Sequence, residues 1–375
     1  MSKFIPVPEQ PTAEWLTAVL QAGGHLPQGE VTAVEVVQSA AFNSHTSFLQ
    51  LHYSSTAPLS CPARMVLKQN RAEEWAKVAG AEEVKFYQLI ATLPDHPAIT
   101  VPCYAAAYDE MSGASYLLLQ DMSATHVEAV PRDVQIAMRE GVPSKLVIGA
   151  VVDTLAQLHA YWWEHPLLSR ATFPVGFWSR NAERFALYLA RRQNSWARLS
   201  AQHQDWFPAE LRTLYENLFA HLHGHWERYL WPRFQAQAKL TLIHGDAYFA
   251  NFLTPKEGAT GRTYLIDWQS PGFGLGAYDL VNLCATFWSS AQRNQLDREM
   301  SILQRYHHGL LRHGVTGYGW EDLLTDYRSG LIFWLLMPVQ DGADGAAKSY
   351  WWPKLQCLVT AYQEWECERL LEIKA

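Results

Sequence analysis

An excess of positive charge is missing from this chain: 30 lysines and arginines face 37 aspartates and glutamates, a formal charge of -7. Phosphate backbones call for a basic surface, so a nucleic-acid partner is not expected. Paired cysteines are missing too. Cys61, Cys103, Cys284, Cys357 and Cys367 are odd in number and scattered, with no C-x-x-C pair. They have the look of reduced cytoplasmic thiols rather than a disulfide framework. No apolar stretch is long: the longest run, Leu331 to Val339, is about half of a bilayer span and contains Pro338. The N-terminal MSKFIPVPEQPTAEW has neither a long apolar core nor a cleavage-site pattern, so no signal peptide is expected. Repeats and low-complexity segments are absent as well. The expectation is a cytoplasmic protein without a membrane or nucleic-acid partner.

What is present is an ordinary globular composition, 49% hydrophobic and 18% charged, over 375 residues. That length suffices for two domains or one large two-lobed unit, each with a core. TAEWLTAVLQAGG (12–24) predicts a helix capped by Thr12 and stopped by glycines. VTAVEVV (31–37), SFLQLHY (47–53) and ARMVLK (63–68) are β-rich runs between polar turns, as in an antiparallel sheet. Residues 72–93 predict one helix, interrupted near Gly80, and VPCYAAAYD and SYLLLQD predict two further strands. Beyond Asp121 the character changes. VPSKLVIGAVVDTLAQLHAYWWEH predicts a long buried helix, and residues 180–236 are helical and polar-aromatic. Two short strands follow, and then more helix. The expected class is therefore α+β: an antiparallel-sheet lobe over residues 1–120 and a larger helical lobe over 121–375, with the boundary near 121–124.

The chemistry concentrates in the two short strands. LIHGDAYFAN sets Asp246 and Asn251 five residues apart after an apolar run, and TYLIDWQ carries Asp267 at the tip of another. Upstream, Lys68 ends a strand and Glu83 sits in the helix after it. Each alone is ordinary: a solvated strand-end lysine, an exposed helix acid, turn-forming Asp and Asn. Together, in this order and on these elements, they are the set that phosphoryl transfer from a nucleotide needs. A lysine neutralises phosphates and a helix carboxylate holds it. An amide and a carboxylate suit Mg²⁺, and another carboxylate takes the proton of an attacking hydroxyl.

On these residues the chain resembles the aminoglycoside phosphotransferase/choline kinase superfamily, which shares the protein-kinase fold, and within it most of all the ecdysteroid-kinase-like branch. The matching stretches are MVLK, EEVKFYQLI, YLLLQDM, LAQLHAYWW, LIHGDAYFAN, TYLIDWQ and GAYDLVNL, over residues from about 35 to 290. The resemblance implies a protein-kinase-like two-lobed fold, with ATP and Mg²⁺ and a small hydroxylated substrate as partners. It implies Asp246 as catalytic base, Asn251 and Asp267 as Mg²⁺ ligands, Lys68 on the nucleotide phosphates and Glu83 as its partner. Asp279 would anchor the catalytic loop. Gln120 and Met122, in the YLLLQDM hinge, would lie along the nucleotide.

The stretch QSAAFNSHTS (38–47) departs from the pattern, because the covering turn of many kinases is glycine-rich and this one has no glycine. Asn43 or Ser44 would have to supply the positive φ, and the hydroxyls of Ser39, Ser44 and Ser47 could bond phosphate directly. GFGLG (272–276) lacks dinucleotide-loop spacing. HLHGH (221–225) could set two histidines on one helix face for zinc, but with no acid at the required spacing it reads as a solvated polar face. His159 reads as a satisfied core histidine. Sixteen tryptophans are many; those at 162–163, 288 and 351–352 fall in the helical lobe and are candidates for a flat acceptor site, with Asp341 and Asp344 in the turn beside them. Such a site suits a ring-bearing or apolar acceptor. A protein substrate is disfavoured by the short stretch between Asp267 and Asp279. A nucleotide-binding pseudokinase scaffold is the alternative from a different class.

Overall fold

The computed structural model describes residues 4–39, 44–137, 141–169 and 181–372. The chain forms two compact units, Met1–Val127 with Pro255–Pro271, and Glu128–Thr254 with Gly272–Ala375. A single cut near 121–124 would leave residues 255–271 with the helices; the structure places them in the strand-rich unit. The Leu265 N–H donates to the Ile99 carbonyl (2.7 Å), and Leu265 bridges Thr100 in parallel. Such long-range pairing leaves no mark on local periodicity.

In the first unit, α1 (Ala13–Ala22) starts where Thr12 accepts the Trp15 amide. It is followed by β1 (Val31–Ser39), β2 (Ser44–Tyr53), β3 (Arg64–Asn70), α2 (Glu74–Ile90), β4 (Cys103–Tyr108) and β5 (Ser115–Gln120). The sheet is antiparallel in the order β1-β2-β3-β5-β4. Alternation along each strand decides what faces what. Leu49, Leu51, Met65, Leu67, Tyr116 and Leu118 bury against Trp15, Leu16, Val19 and Leu20 of α1. Each such aliphatic side chain contributes about 1.5–3 kcal/mol on burial. The opposite face receives α2, which packs across β3, β4 and β5. That helix runs unbroken through Gly80, contrary to the expected interruption. A Cβ there would collide with Ser115 Oγ and stand 2.9 Å from Asn70 Cβ, so glycine is what lets helix and sheet close together.

The chain leaves this unit through β6 (His126–Glu128). Helices α3 (Arg132–Ile136), α4 (Lys145–Tyr161), α5 (Ala182–Gln202), α6 (Ala209–His225) and α7 (Trp231–Ala236) follow. Then come β7 (Thr241–Ile243), β8 (Phe252–Pro255), β9 (Tyr264–Leu265) and β10 (Gly272–Gly274). The remainder is α8 (Ala277–Ala285), α9 (Ser290–Asn294), α10 (Arg298–Arg312), α11 (Trp320–Trp334), α12 (Leu336–Ala343), α13 (Lys348–Glu364) and α14 (Glu368–Leu371). β7 and β10 pair antiparallel, and α4 packs on α10, α8 on α11 and α12 on both α5 and α13. No helix among the described residues is long and apolar enough to cross a membrane.

Candidate active-site residues

In the first unit Lys68 follows Leu67 on β3, so the alternation that buries Leu67 turns Lys68 toward α2. Its Nζ donates to Glu83 Oε1 (2.9 Å), lies 2.7 Å from Oε2, and also bonds Asp267 Oδ1. Glu83 is 3% exposed, a depth a carboxylate reaches only with a partner. Burial alone would pull the lysine pKa down; Asp267 and then Glu83 outweigh it, and the ammonium is held charged well above its usual range. Burial conversely raises the Glu83 carboxyl, against the pull of Lys68. Asp267 sits at φ 65°, the left-handed region that aspartate tolerates better than most residues. The next residue locks the turn. Trp268 donates its amide to Glu83 Oε1 (3.2 Å) and stacks on Phe86 of α2 with centroids 3.8 Å apart. Ser44, buried at the start of β2, lines a small space of about 10 Å³ beside Lys68 and Glu83, room for one water.

Other expected nucleotide residues stand apart from this cluster. Gln120 accepts from the Tyr104 hydroxyl (3.4 Å), and the Met122 carbonyl closes a turn by accepting from the Thr125 and His126 amides. Neither bonds to Lys68, Glu83 or Asp267. Asn43 lies outside the described residues, as does the side chain of Ser39.

In the second unit the HGD loop hangs from one buried carboxylate. Asp279, at the start of α8 and fully buried, accepts from the His244 amide (2.7 Å) and the Gly245 amide (2.9 Å). It also accepts from His159 Nε2 (3.1 Å). A carboxylate only accepts, so Nε2 carries the hydrogen, and that tautomer leaves Nδ1 to accept from the Tyr306 hydroxyl (2.8 Å). Gly276 keeps this junction open, since a Cβ there would collide with the Tyr306 hydroxyl and stand 3.0 Å from His159 Nδ1. With the loop fixed, Asp246 is oriented from two sides. Asn282 Nδ2 donates to Oδ1 (3.1 Å), and Asn251 Nδ2 donates to the Asp246 carbonyl (2.8 Å) and reaches toward Oδ2 (3.4 Å). Gln135 of α3 holds the same loop by accepting the Ala250 amide (3.1 Å).

Taken separately, the Asn251 amide and the Asp267 carboxylate are oxygen donors of the kind a hard cation takes. Asn251 spends its Nδ2 on Asp246, which leaves its Oδ1 for a ligand, and carboxylate and amide oxygens are what Mg²⁺ prefers. No group of three or more His, Cys, Asp or Glu that could hold a metal occurs among the described residues.

Sequence reasoning missed Asn282, although it follows Asp279 by three residues on one helix and so shares its face. Lys354 was missed as well. Its ammonium is buried against Asp341 (3.1 Å), within 6 Å of the Tyr350, Trp334 and Phe287 ring centroids. Other expectations need correction. Trp162, Trp288 and Trp351 are core side chains rather than a flat acceptor wall, and Asp344 pairs with Arg198. The HLHGH face is not all solvated: His225 is buried on Ser329 Oγ (2.9 Å), while His221 and His223 face water. His159 is the satisfied core histidine expected.

The chain shares its fold with solved structures that span nearly its full length. One is a Ralstonia eutropha protein assigned as an aminoglycoside phosphotransferase, with TM-score 0.55 and 15% identity, covering 96% of this chain and 99% of that one. Another is the GDP complex of a variant of aminoglycoside 2'-phosphotransferase-IIIa, with TM-score 0.52, 15% identity and 96% of each chain. A third is a Plasmodium vivax ethanolamine kinase, with TM-score 0.50, 12% identity, 89% of this chain and 84% of that one. The expected protein-kinase-like α+β fold is the fold found. A search of curated protein sequences returns no match. The model of the phosphotransferase enzyme family matches residues 42–318, well over half of the sequence, and the chain therefore belongs to that family.

Proposed function

We propose that the protein transfers the γ-phosphoryl group of ATP to a hydroxyl of a small molecule. The observation that carries this reading is the Lys68 ammonium held between Glu83 and Asp267, a buried charge that the apolar core around it does not need. Lys68 offers that charge to the nucleotide phosphates, while Glu83 and the Trp268 turn fix its position. Asp246, oriented by Asn282 and Asn251, accepts the proton of the acceptor hydroxyl. The acceptor oxygen forms the new bond to γ-phosphorus as the bond to the bridging oxygen breaks, and ADP leaves. A bound Mg²⁺ would neutralise phosphate charge, with Asn251 Oδ1 and the Asp267 carboxylate as its protein ligands.

The likeness of the motifs to the ecdysteroid-kinase-like branch supports an acceptor with a ring-bearing or apolar body. So does the aromatic cluster that begins two residues from Asp246, where buried Tyr248 meets buried Phe287 (5.8 Å) and Phe287 meets the partly exposed Tyr350 (6.3 Å). Five free cysteines support a cytoplasmic location. The test is Mg²⁺-dependent ADP release from ATP across a panel of small alcohols, run beside Asp246→Asn. The native protein should transfer, and the variant should lose about 10²–10⁴-fold in kcat while keeping nucleotide affinity. Nucleotide binding without transfer to any alcohol would identify a scaffold instead. A variant within about threefold of the parent would remove Asp246 from the role of base.

A further inference from the structure

We propose that the acceptor carries an anionic group, a carboxylate or a phosphate, and that Arg192 is the residue that binds it. The inference rests on the kinase reading above and adds the acceptor's chemistry to it. Arg192, on α5, is 7% exposed. Its Nη2 donates to the Met337 thioether (3.4 Å), and the group lies against Tyr188, its guanidinium carbon 4.7 Å from the centre of that ring. Nε and Nη1 are buried with no hydrogen-bond partner, and no carboxylate among the described residues pairs with the group.

The other buried guanidinium of this unit, Arg293, is treated differently, as is the partly buried Arg233. Arg233 is paired with Asp326 (2.7 Å), and Arg293 with Glu299 (2.9 Å) and Glu364 (2.6 Å). A guanidinium cannot shed its proton, so burying one without a counter-charge is costly. Its planar fork of donors matches the paired oxygens of a carboxylate or phosphate.

Two further observations connect Arg192 to the reacting end. Met337, which accepts from Arg192 Nη2, follows by three residues Trp334, whose Nε1 donates to the Tyr278 carbonyl (2.8 Å). Tyr278 lies one turn before Asn282, the α8 residue that bonds Asp246 Oδ1 (3.1 Å). Met337 is on α12. One turn later the Gln340 side-chain oxygen is buried without a donor, a second polar atom awaiting a partner. The acid of α12 and the acid at its C-cap are already committed, Asp341 to Lys354 (3.1 Å) and Asp344 to Arg198 (3.2 Å). An ammonium-bearing acceptor finds no unpaired acid on α12, whereas an anionic one finds an unpaired guanidinium.

The experiment uses the full chain and has two parts. The first compares kcat/KM for matched alcohols carrying a carboxylate, a phosphate, no charge or an amine, in the native protein, Arg192→Lys and Arg192→Met. The acidic alcohols should lead by tenfold or more, carboxylate and phosphate arms telling the two anions apart. Arg192→Met should erase the lead mainly through KM, with Arg192→Lys intermediate. The second part follows Tm with inorganic phosphate and with 4-hydroxyphenylacetate at constant ionic strength. Native protein should be stabilised saturably by at least one of them. Arg192→Met should show a higher Tm without ligand, having lost an unpaired buried charge, and no ligand response attributable to this site. A merely structural arginine would instead lower the Tm when replaced. Preferred turnover of neutral or amine alcohols overturns the inference and leaves the kinase reading intact. Absence of all transfer overturns the kinase reading, and the Tm comparison then judges Arg192 alone. Equal ligand shifts in native and Arg192→Met, or none in either, refute the anion site.

Discussion

Replacing Asp279 by asparagine should unhinge the HGD loop at a calculable cost. The carboxylate takes three N–H donors, from His244, Gly245 and His159, at 2.7, 2.9 and 3.1 Å in a fully buried position. Hydrogen bonds to a charged group contribute about 1.5–3 kcal/mol each. Asparagine keeps a single carbonyl oxygen and points an NH₂ group at one of the former donors. Whichever way the amide turns, at least one bond is lost and one buried N–H faces another donor. The expected loss is about 3–5 kcal/mol, the range found when one partner of a buried charged network is removed. The assay is urea unfolding followed by tryptophan fluorescence, with the transition of the helical unit compared between native protein and Asp279→Asn. Phosphoryl transfer should fall with it, because Asp246 directly follows the two anchored amides, while nucleotide affinity without Mg²⁺ should change little, since Lys68, Glu83 and Asp267 belong to the other unit. A shift below about 1 kcal/mol, the scale of an ordinary surface substitution, would refute the anchoring argument.

Asp267→Ala should abolish Mg²⁺-dependent nucleotide binding by calorimetry, and Asn251→Ala should weaken it less, a neutral ligand contributing less charge; unchanged Mg·ATP affinity in Asp267→Ala would rule out its place on the metal. Burial lowers the His225 pKa to about 4, against 6.5 in an unfolded chain. The unfolded state then binds the extra proton between these values, so stability is full above pH 6.5 and falls by roughly 3 kcal/mol as pH drops toward 4. A urea midpoint with the same pH slope in native protein and His225→Gln would contradict this. Trp351→Ala should cost about 3–5 kcal/mol of stability, as for a buried tryptophan. Trp352→Ala, at a half-buried position, should cost clearly less, and equal unfolding midpoints for the two variants would show that Trp351 is not a core residue.

The strands around Lys68, the helix carrying Glu83 and the short apolar runs before Asp246 and Asp267 were legible because each writes its own period into the sequence. Alternation buries Leu67 and so turns Lys68 the other way, and Thr12 caps α1 by chemistry local to a few residues. Polar residues five or sixteen positions apart also declare their spacing without help from the fold. What sequence could not decide were contacts between distant segments, where neither partner carries a local mark. Residues 255–271 join the sheet unit through Ile99 and Thr100, far back in the chain. Whether a tryptophan is wall or core depends on what packs over it; Trp351 is covered by Trp206 and Phe207 from a loop more than a hundred residues away. His225 is buried rather than solvated because Ser329 of α11 meets it. Whether a buried cation is paired depends in the same way on the acids that folding brings to it. Lys354 and Arg192 look alike in the sequence, as basic residues on aromatic-rich helices. Only the tertiary structure gives Asp341 to one and leaves the other without a counter-charge, because a charge's partner is chosen by distance in space.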